Sequence, residues 1–140
     1  MRKSSMLFIA TFAAGCGAHI GEVRIGSPHP ARPVDCNLEF VTMQAIDTEP
    51  GSKFGPNGDL EKVGTVLIAA KKDIDPMSNN THLLVRPRAC RMGGEVVSLL
   101  ATDNSVSNNG KPQENILYTV WGRRQTVIVQ PAQSASASDQ

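Results

Sequence analysis

The sequence predicts a small α+β domain, a mostly antiparallel sheet of about four strands with one helix packed on one face. Three observations carry this. Several stretches alternate apolar and polar residues with a period of two, the mark of half-buried strands. One stretch, from Asp75 to about Met92, has the start and stop signals of a helix. Leu83–Ala101, LLVRPRACRMGGEVVSLLA, joins the end of that helix to the most apolar strand through a double glycine, and the fold is organised around it.

A chain of 140 residues is one domain as a prior. Aromatic residues make up only 4%, so the core is built from Val, Leu, Ile and Ala. The formal charge is +1. Without Arg2 and Lys3 the 14 basic residues fall to 12 against 13 acidic ones, a net of −1, which argues against a nucleic-acid surface.

The N-terminus reads as an address. Arg2 and Lys3 precede the apolar run Met6–Gly15, a signal-peptide pattern too short to span a bilayer as a mature helix. The run ends in Ala13-Ala14-Gly15-Cys16, which resembles the bacterial lipobox, with Ala13 where Leu is commonest. The resemblance implies cleavage before Cys16 and acyl chains on its sulfur and its new amine. Several chains anchor stably where one would not. The alternative is an ordinary secretory signal with Cys16 incidental. Gly17 in place of Asp implies, by enterobacterial-type sorting, the outer membrane.

Gly17–Asp35 holds Pro28, Pro30 and Pro33 and reads as an extended tether, in which Ile20–Ile25 is a candidate short strand. Cys36–Met43 alternates, with Cys36, Leu38 and Phe40 on one face and Asn37 and Glu39 on the other. Thr48–Asp59 collects Pro50, Gly51, Gly55, Pro56 and Gly58 and reads as a loop; no Gly-Lys-Ser/Thr follows to make a phosphate cradle. Glu61–Ala70 is the second strand, with Val63, Thr65 and Leu67 facing one way and Val66 and Ile68 the other. Gly64 inside it signals a bulge or a close backbone approach.

The helix opens at Asp75-Pro76, where Asp75 or Ser78 can cap it. Leu83, Pro87 and Cys90 form its expected inward face. Pro87 removes a hydrogen bond and predicts a kink or a break. Gly93 suits the C-terminal stop. Glu95–Ala101 is the third strand, placed centrally because it is the most apolar. Thr102–Glu114 reads as an exposed loop. Asn115–Gly122 sets Ile116, Tyr118 and Val120 against Leu117, Thr119 and Trp121, and Gln125–Gln130 extends it or forms another strand. The expected division is therefore a signal peptide over 1–15, lipidated Cys16 and its tether over 16–35, the domain over 36–131 and a disordered tail over 132–140.

Strand residue Cys36, the Val63–Val66 strand, the run Ala89-Cys90-Arg91-Met92-Gly93-Gly94-Glu95-Val96-Val97 and the Tyr118 strand together resemble small bacterial lipoproteins with an AC-x-[LM]-GG-[DE]-xV segment. Their helix–Gly–strand unit is similar to that of RcsF- and YbjQ-type domains. The resemblance covers roughly Cys36–Arg123 and implies the fold; it carries over no site. RcsF-type domains hold two bridges, whereas only Cys36 and Cys90 remain here once Cys16 is lipidated.

Two cysteines in an oxidising compartment predict a Cys36–Cys90 disulfide; two free thiols or a redox pair, the latter without a Cys-x-x-Cys, are the alternatives. The bridge would close a loop of about 55 residues, worth on the order of 4 kcal/mol in the chain-entropy model. His19, His29 and His82 lie far apart and predict no metal site. Asp73 and Asp75 beside Lys71 and Lys72 read as a charged turn rather than paired catalytic carboxylates. Arg86, Arg88, Arg91, Arg123 and Arg124 are either an anion or headgroup patch or a solvated face with packed stems. Ser78, Ser98 and Ser105 lack the context of a triad. Tyr118 and Trp121 read as core or sheet residues. The expected function is a non-catalytic envelope lipoprotein with a protein partner, no cofactor and no nucleic acid; the alternative is a ligand- or metal-binding periplasmic module.

Overall fold

A computed structural model describes residues 18–42, 51–71, 74–106 and 108–126. They form an α+β unit of one helix and a five-stranded mixed sheet. In chain order the elements are β1 (His19–Arg24), β2 (Glu39–Val41), β3 (Leu60–Lys71), α1 (Asn79–Arg91), β4 (Gly94–Val106) and β5 (Pro112–Arg123). The sheet order is β1-β3-β5-β4-β2. Cys16, Met43, Asp73 and the segment after Thr126 lie outside the described residues.

β5 is antiparallel to both β3 and β4. β3 and β4 therefore run the same way with β5 between them, and the chain needs a crossover to pass from one to the other. Helix α1 is that crossover. The expected central strand, β4, is displaced by β5, which pairs along its whole length on both sides. The sheet is also less antiparallel than expected, because β2 pairs parallel to β4 through Glu39↔Val96, Phe40↔Val97 and Val41↔Ser98.

The disulfide explains that parallel edge. Cys36 and Cys90 are bridged, with Cα atoms 5.9 Å apart. β2 begins three residues after Cys36, and β4 begins four residues after Cys90. Two strands that leave one covalent tie in the same direction are set side by side in parallel.

The segment expected to be a tether gives the sheet an edge strand over His19–Arg24, where Ile20–Ile25 is the candidate short strand. β1 pairs antiparallel with β3 from His19↔Ala69 to Arg24↔Gly64. Only Ile20 packs on the core from this strand, so backbone ladder bonds rather than an apolar face hold it. The prolines that follow lead an extended strap across the domain instead of a solvated leash. Arg32 pins it: its backbone N–H donates to Cys90 O at 2.9 Å, and its guanidinium donates to Gly94 O and Asn37 O.

The main core lies between α1 and the sheet, and includes Val66, Ile68, Val85, Ala89, Val97, Ile116, Tyr118 and Val120. Helix α1 buries Thr81, Val85 and Ala89, an i, i+4, i+8 stripe, together with Cys90. Leu83, expected inward, is 59% exposed. The small stripe lets the helix approach the sheet closely, and Leu83 is left on the outside. The helix runs unbroken through Pro87. The carbonyl that Pro87 cannot serve belongs to Leu83, on an exposed turn where solvent can reach it.

Ser78 caps α1 by accepting from Thr81 N at 3.3 Å. Asp75 organises the turn before it: its carboxylate accepts from Met77 N, and its carbonyl accepts from the hydroxyls of Ser78 and Thr81. Buried Tyr118 donates its hydroxyl to Pro76 O at 2.6 Å and ties the same turn to the middle of the sheet; burial pushes its phenol well above the usual range. The helix ends at Met92, and Gly93 follows at φ +81° with its N–H on Cys90 O.

In β3 the register shifts between Lys62 and Gly64. Val63 is the inserted residue, so it joins Val66 and Ile68 in the main core and does not share the outer face of Thr65 and Leu67. Gly64 sits at a close approach, where a Cβ would collide with Met92 Sδ and the carbonyl of Val23. The expected Thr102–Glu114 loop is instead the continuation of β4 and β5 into a long polar hairpin, with side-chain bonds from Asn115 to Ser105 and from Gln113 to Asn115.

Candidate functional site

The helix covers one face of the sheet. On the opposite face a second cluster of buried side chains, Phe54, Leu60, Val96 and Trp121, closes only one end. Its roof is the Gly- and Pro-rich loop 51–59, folded back so that Phe54 meets Trp121 edge to face with centroids 5.0 Å apart. Leu60 N donates to Lys53 O at 2.9 Å, which holds the return.

Arg124 fastens that loop. Its guanidinium donates to Gly58 O at 3.1 Å and Gly55 O at 2.9 Å and pairs with Glu61 at 3.5 Å. Its backbone N–H donates to Asp59 O at 2.7 Å. The loop thus stands as a wall beside an open cleft of about 410 Å³ on the sheet face. Ser98, Leu100, Thr119 and Trp121 line the floor, and Pro56 and Lys62 stand on the rim. Trp121 is held in place by its indole N–H, which donates to Ser98 Oγ at 2.9 Å. Lys62 Nζ lies 5.5 Å from the Trp121 ring centre, a cation over an aromatic face. The size lies within the range of small-molecule and side-chain pockets. Leu100 on the floor is 39% exposed, and beyond the cleft the same face exposes Val23 and Leu67, at 62% and 40%.

A second constellation holds the strap. The His29 side chain is 5% exposed. Its Nε2 is 3.1 Å from both Arg123 O and Glu61 Oε1, and its Nδ1 is 3.0 Å from Ser27 O. The double glycine makes room for it. A Cβ on Gly93 would lie 2.6 Å from His29 Cβ, and one on Gly94 would meet Val120 and Ala89 O. The Gly93-Gly94 pair therefore ends the helix, admits the strap and starts β4 against β5.

The arginines, read from the sequence as either an anion patch or a solvated face, are divided among separate tasks. Arg88 and Arg91 reach Glu22 on β1 at 3.8 and 3.2 Å. Arg123 forks onto both oxygens of Glu95 at 3.2 Å. Arg86 Nε is buried without a hydrogen-bond partner among the described residues. His82 stacks on Phe40, with ring centroids 3.7 Å apart and planes 8° from parallel. Burial and the charge of Arg86 lower its pKa. His19, His29 and His82 stay apart, and no three His, Cys, Asp or Glu side chains among the described residues converge as metal ligands. Ser78 is a helix cap, Ser98 holds Trp121 and Ser105 accepts from Asn115.

The cleft is hidden from sequence reasoning because Thr48–Asp59 has the composition of a plain loop. Phe54 is the available signal: one of only four Phe in the chain, placed among glycines and prolines. His29 is hidden because prolines on both sides suggest solvent.

Among the described residues, fold and site together define a one-helix, five-strand module with one sheet face covered and the other open. Comparison with protein-family models, with curated proteins and with solved structures found no match. No helix among the described residues is long and apolar enough to cross a membrane.

Proposed function

We propose that this chain is a non-catalytic, lipid-anchored envelope protein, most simply of the outer membrane, that binds a protein partner through the open sheet face. One observation carries the binding half of this reading: a cleft with a Trp121 floor beside a face that exposes Val23, Leu67 and Leu100. Exposed large apolar side chains gathered on one sheet face beside a cleft are the kind of surface that recognition sites use. The anchoring half rests on the lipobox-like Ala13-Ala14-Gly15-Cys16. The likeness of Ala89–Val97 to small bacterial lipoproteins agrees with the anchoring half. A ligand-binding module is the second reading, favoured by the same cleft.

The test is site-specific photo-crosslinking in cells. A photoreactive residue in place of Leu100 should give a discrete adduct that Leu67→Asp removes. The same probe at Leu84, on the outer side of α1, should give none. Equal labelling from both faces would count against a dedicated surface. Thermal shift with metals and small anions separates the second reading.

A further inference from the structure

The covalent distance from Cys16 to the folded domain is very short. The position of the anchor rests on lipidation of Cys16, the reading proposed for this chain. Only Gly17 and Ala18 separate Cys16 from His19, the first residue of β1. Three fully extended residues span roughly 10 Å. An acylated Cys16 therefore cannot lie farther than that from the starting end of β1, and no long leash intervenes.

The ladder identifies what else lies at that end. His19 is level with Ala69 on β3, Asn115 on β5 and Asp103 on β4. Three residues farther along, Val106 pairs with Pro112 at the hairpin end. At the rise of a strand that is a projection of roughly 10 Å past His19, in the direction away from the rest of β1. The reach of the anchor and the projection of the hairpin are the same length. Val106 is 69% exposed, the most exposed large apolar side chain among the described residues. The other end of the sheet holds Lys62, paired with Trp121. Six ladder steps from Ala69, it stands roughly 20 Å back from the level of His19.

We infer that the domain stands upright on a lipid surface, with the β4–β5 hairpin end around Val106 in the headgroup layer and the Trp121 cleft turned away from the bilayer. The occupant of the hairpin end is the membrane that holds the acyl chains. The cleft is thereby offered to partners approaching from the aqueous side.

The experiment uses the full mature protein purified with its anchor, its intact mass taken first. It is placed in vesicles of phosphatidylethanolamine and phosphatidylglycerol containing a nitroxide-headgroup lipid. Trp121 is the sole tryptophan, and its emission should be unquenched. In Val106→Trp the added emission should be strongly quenched. Inserting a flexible spacer of about ten residues between Gly17 and Ala18 should remove that quenching while the acylated mass is kept. Quenching of Trp121, or none at Val106→Trp in acylated protein, would overturn the orientation and leave the envelope reading standing. A mass without acyl chains would overturn both.

Discussion

Trp121 on β5 donates its indole N–H to the hydroxyl of Ser98 on β4, and both residues are buried, at 5% and 3% exposure. This cross-strand bond fixes the plane of the ring that floors the cleft. Ser98→Ala leaves a buried donor without its partner and should cost about 1–3 kcal/mol. A urea titration followed by far-ultraviolet circular dichroism would show the lower midpoint, and Trp121 emission would shift in the folded baseline. An unchanged midpoint would mean that the indole finds another acceptor.

The Cys36–Cys90 bridge should matter most to the shortest strand. β2 pairs over three residues only. The double variant Cys36→Ser, Cys90→Ser should lose on the order of 4 kcal/mol, less any residual denatured-state structure. Amide hydrogen exchange at Phe40 and Val41 should accelerate more than at Tyr118 or Val120. Uniform acceleration across the sheet would show that the bridge has no local role.

Gly93 and Gly110 both have positive φ, +81° and +72°, but only Gly93 has neighbours where a Cβ would go. Gly110→Ala should cost about 1–2 kcal/mol from backbone strain alone. Gly93→Ala adds a collision with His29 and should cost about 2–5 kcal/mol. Equal losses in chemical denaturation would remove the claim that the strap is seated on Gly93.

His82 gives stability a definite pH slope. Burial first, then the charge of Arg86, lower its pKa below the ordinary 6.5, while Asp75 opposes them. The unfolded chain then takes up a proton more readily than the folded one. The contribution is complete above 6.5 and is lost as pH falls below it. Thermal midpoints should fall on acidification through this range, and His82→Gln should flatten the slope. A steeper slope in the variant would reverse the assignment.

β5 is legible as a strand because Ile116, Tyr118 and Val120 face one packed layer and alternate strictly with Leu117, Thr119 and Trp121, but its central place is not, because apolar content points to β4 instead. Ser78, Gly64 and Gly93 are legible because caps, bulges and left-handed stops require particular residue types. The edges are not. β1 turns one side chain, Ile20, toward the core and is held by backbone bonds that any residue can make. The helix face departs from its periodicity because Thr81, a polar residue tied to Asp75 O, takes an inward position that the pattern assigns to Leu83. Val63 changes faces through one inserted residue, a shift that alternation cannot register. The cleft depends on loop 51–59 meeting β5 across more than sixty residues of sequence, and no local pattern encodes such a meeting.

Among the described residues, β2 shields β4 only from Val96 to Ser98, although β4 runs on to Val106. Open strand edges invite pairing between molecules, and the register shift between Leu99 and Ala101 is the kind of irregularity that discourages it. Because β2 is launched from Cys36, the bridge also guards this edge. A chain that reaches its compartment reduced would uncover Val96–Ser98 as well, and its failure would appear as self-association in sedimentation while the circular dichroism spectrum still reported a folded sheet.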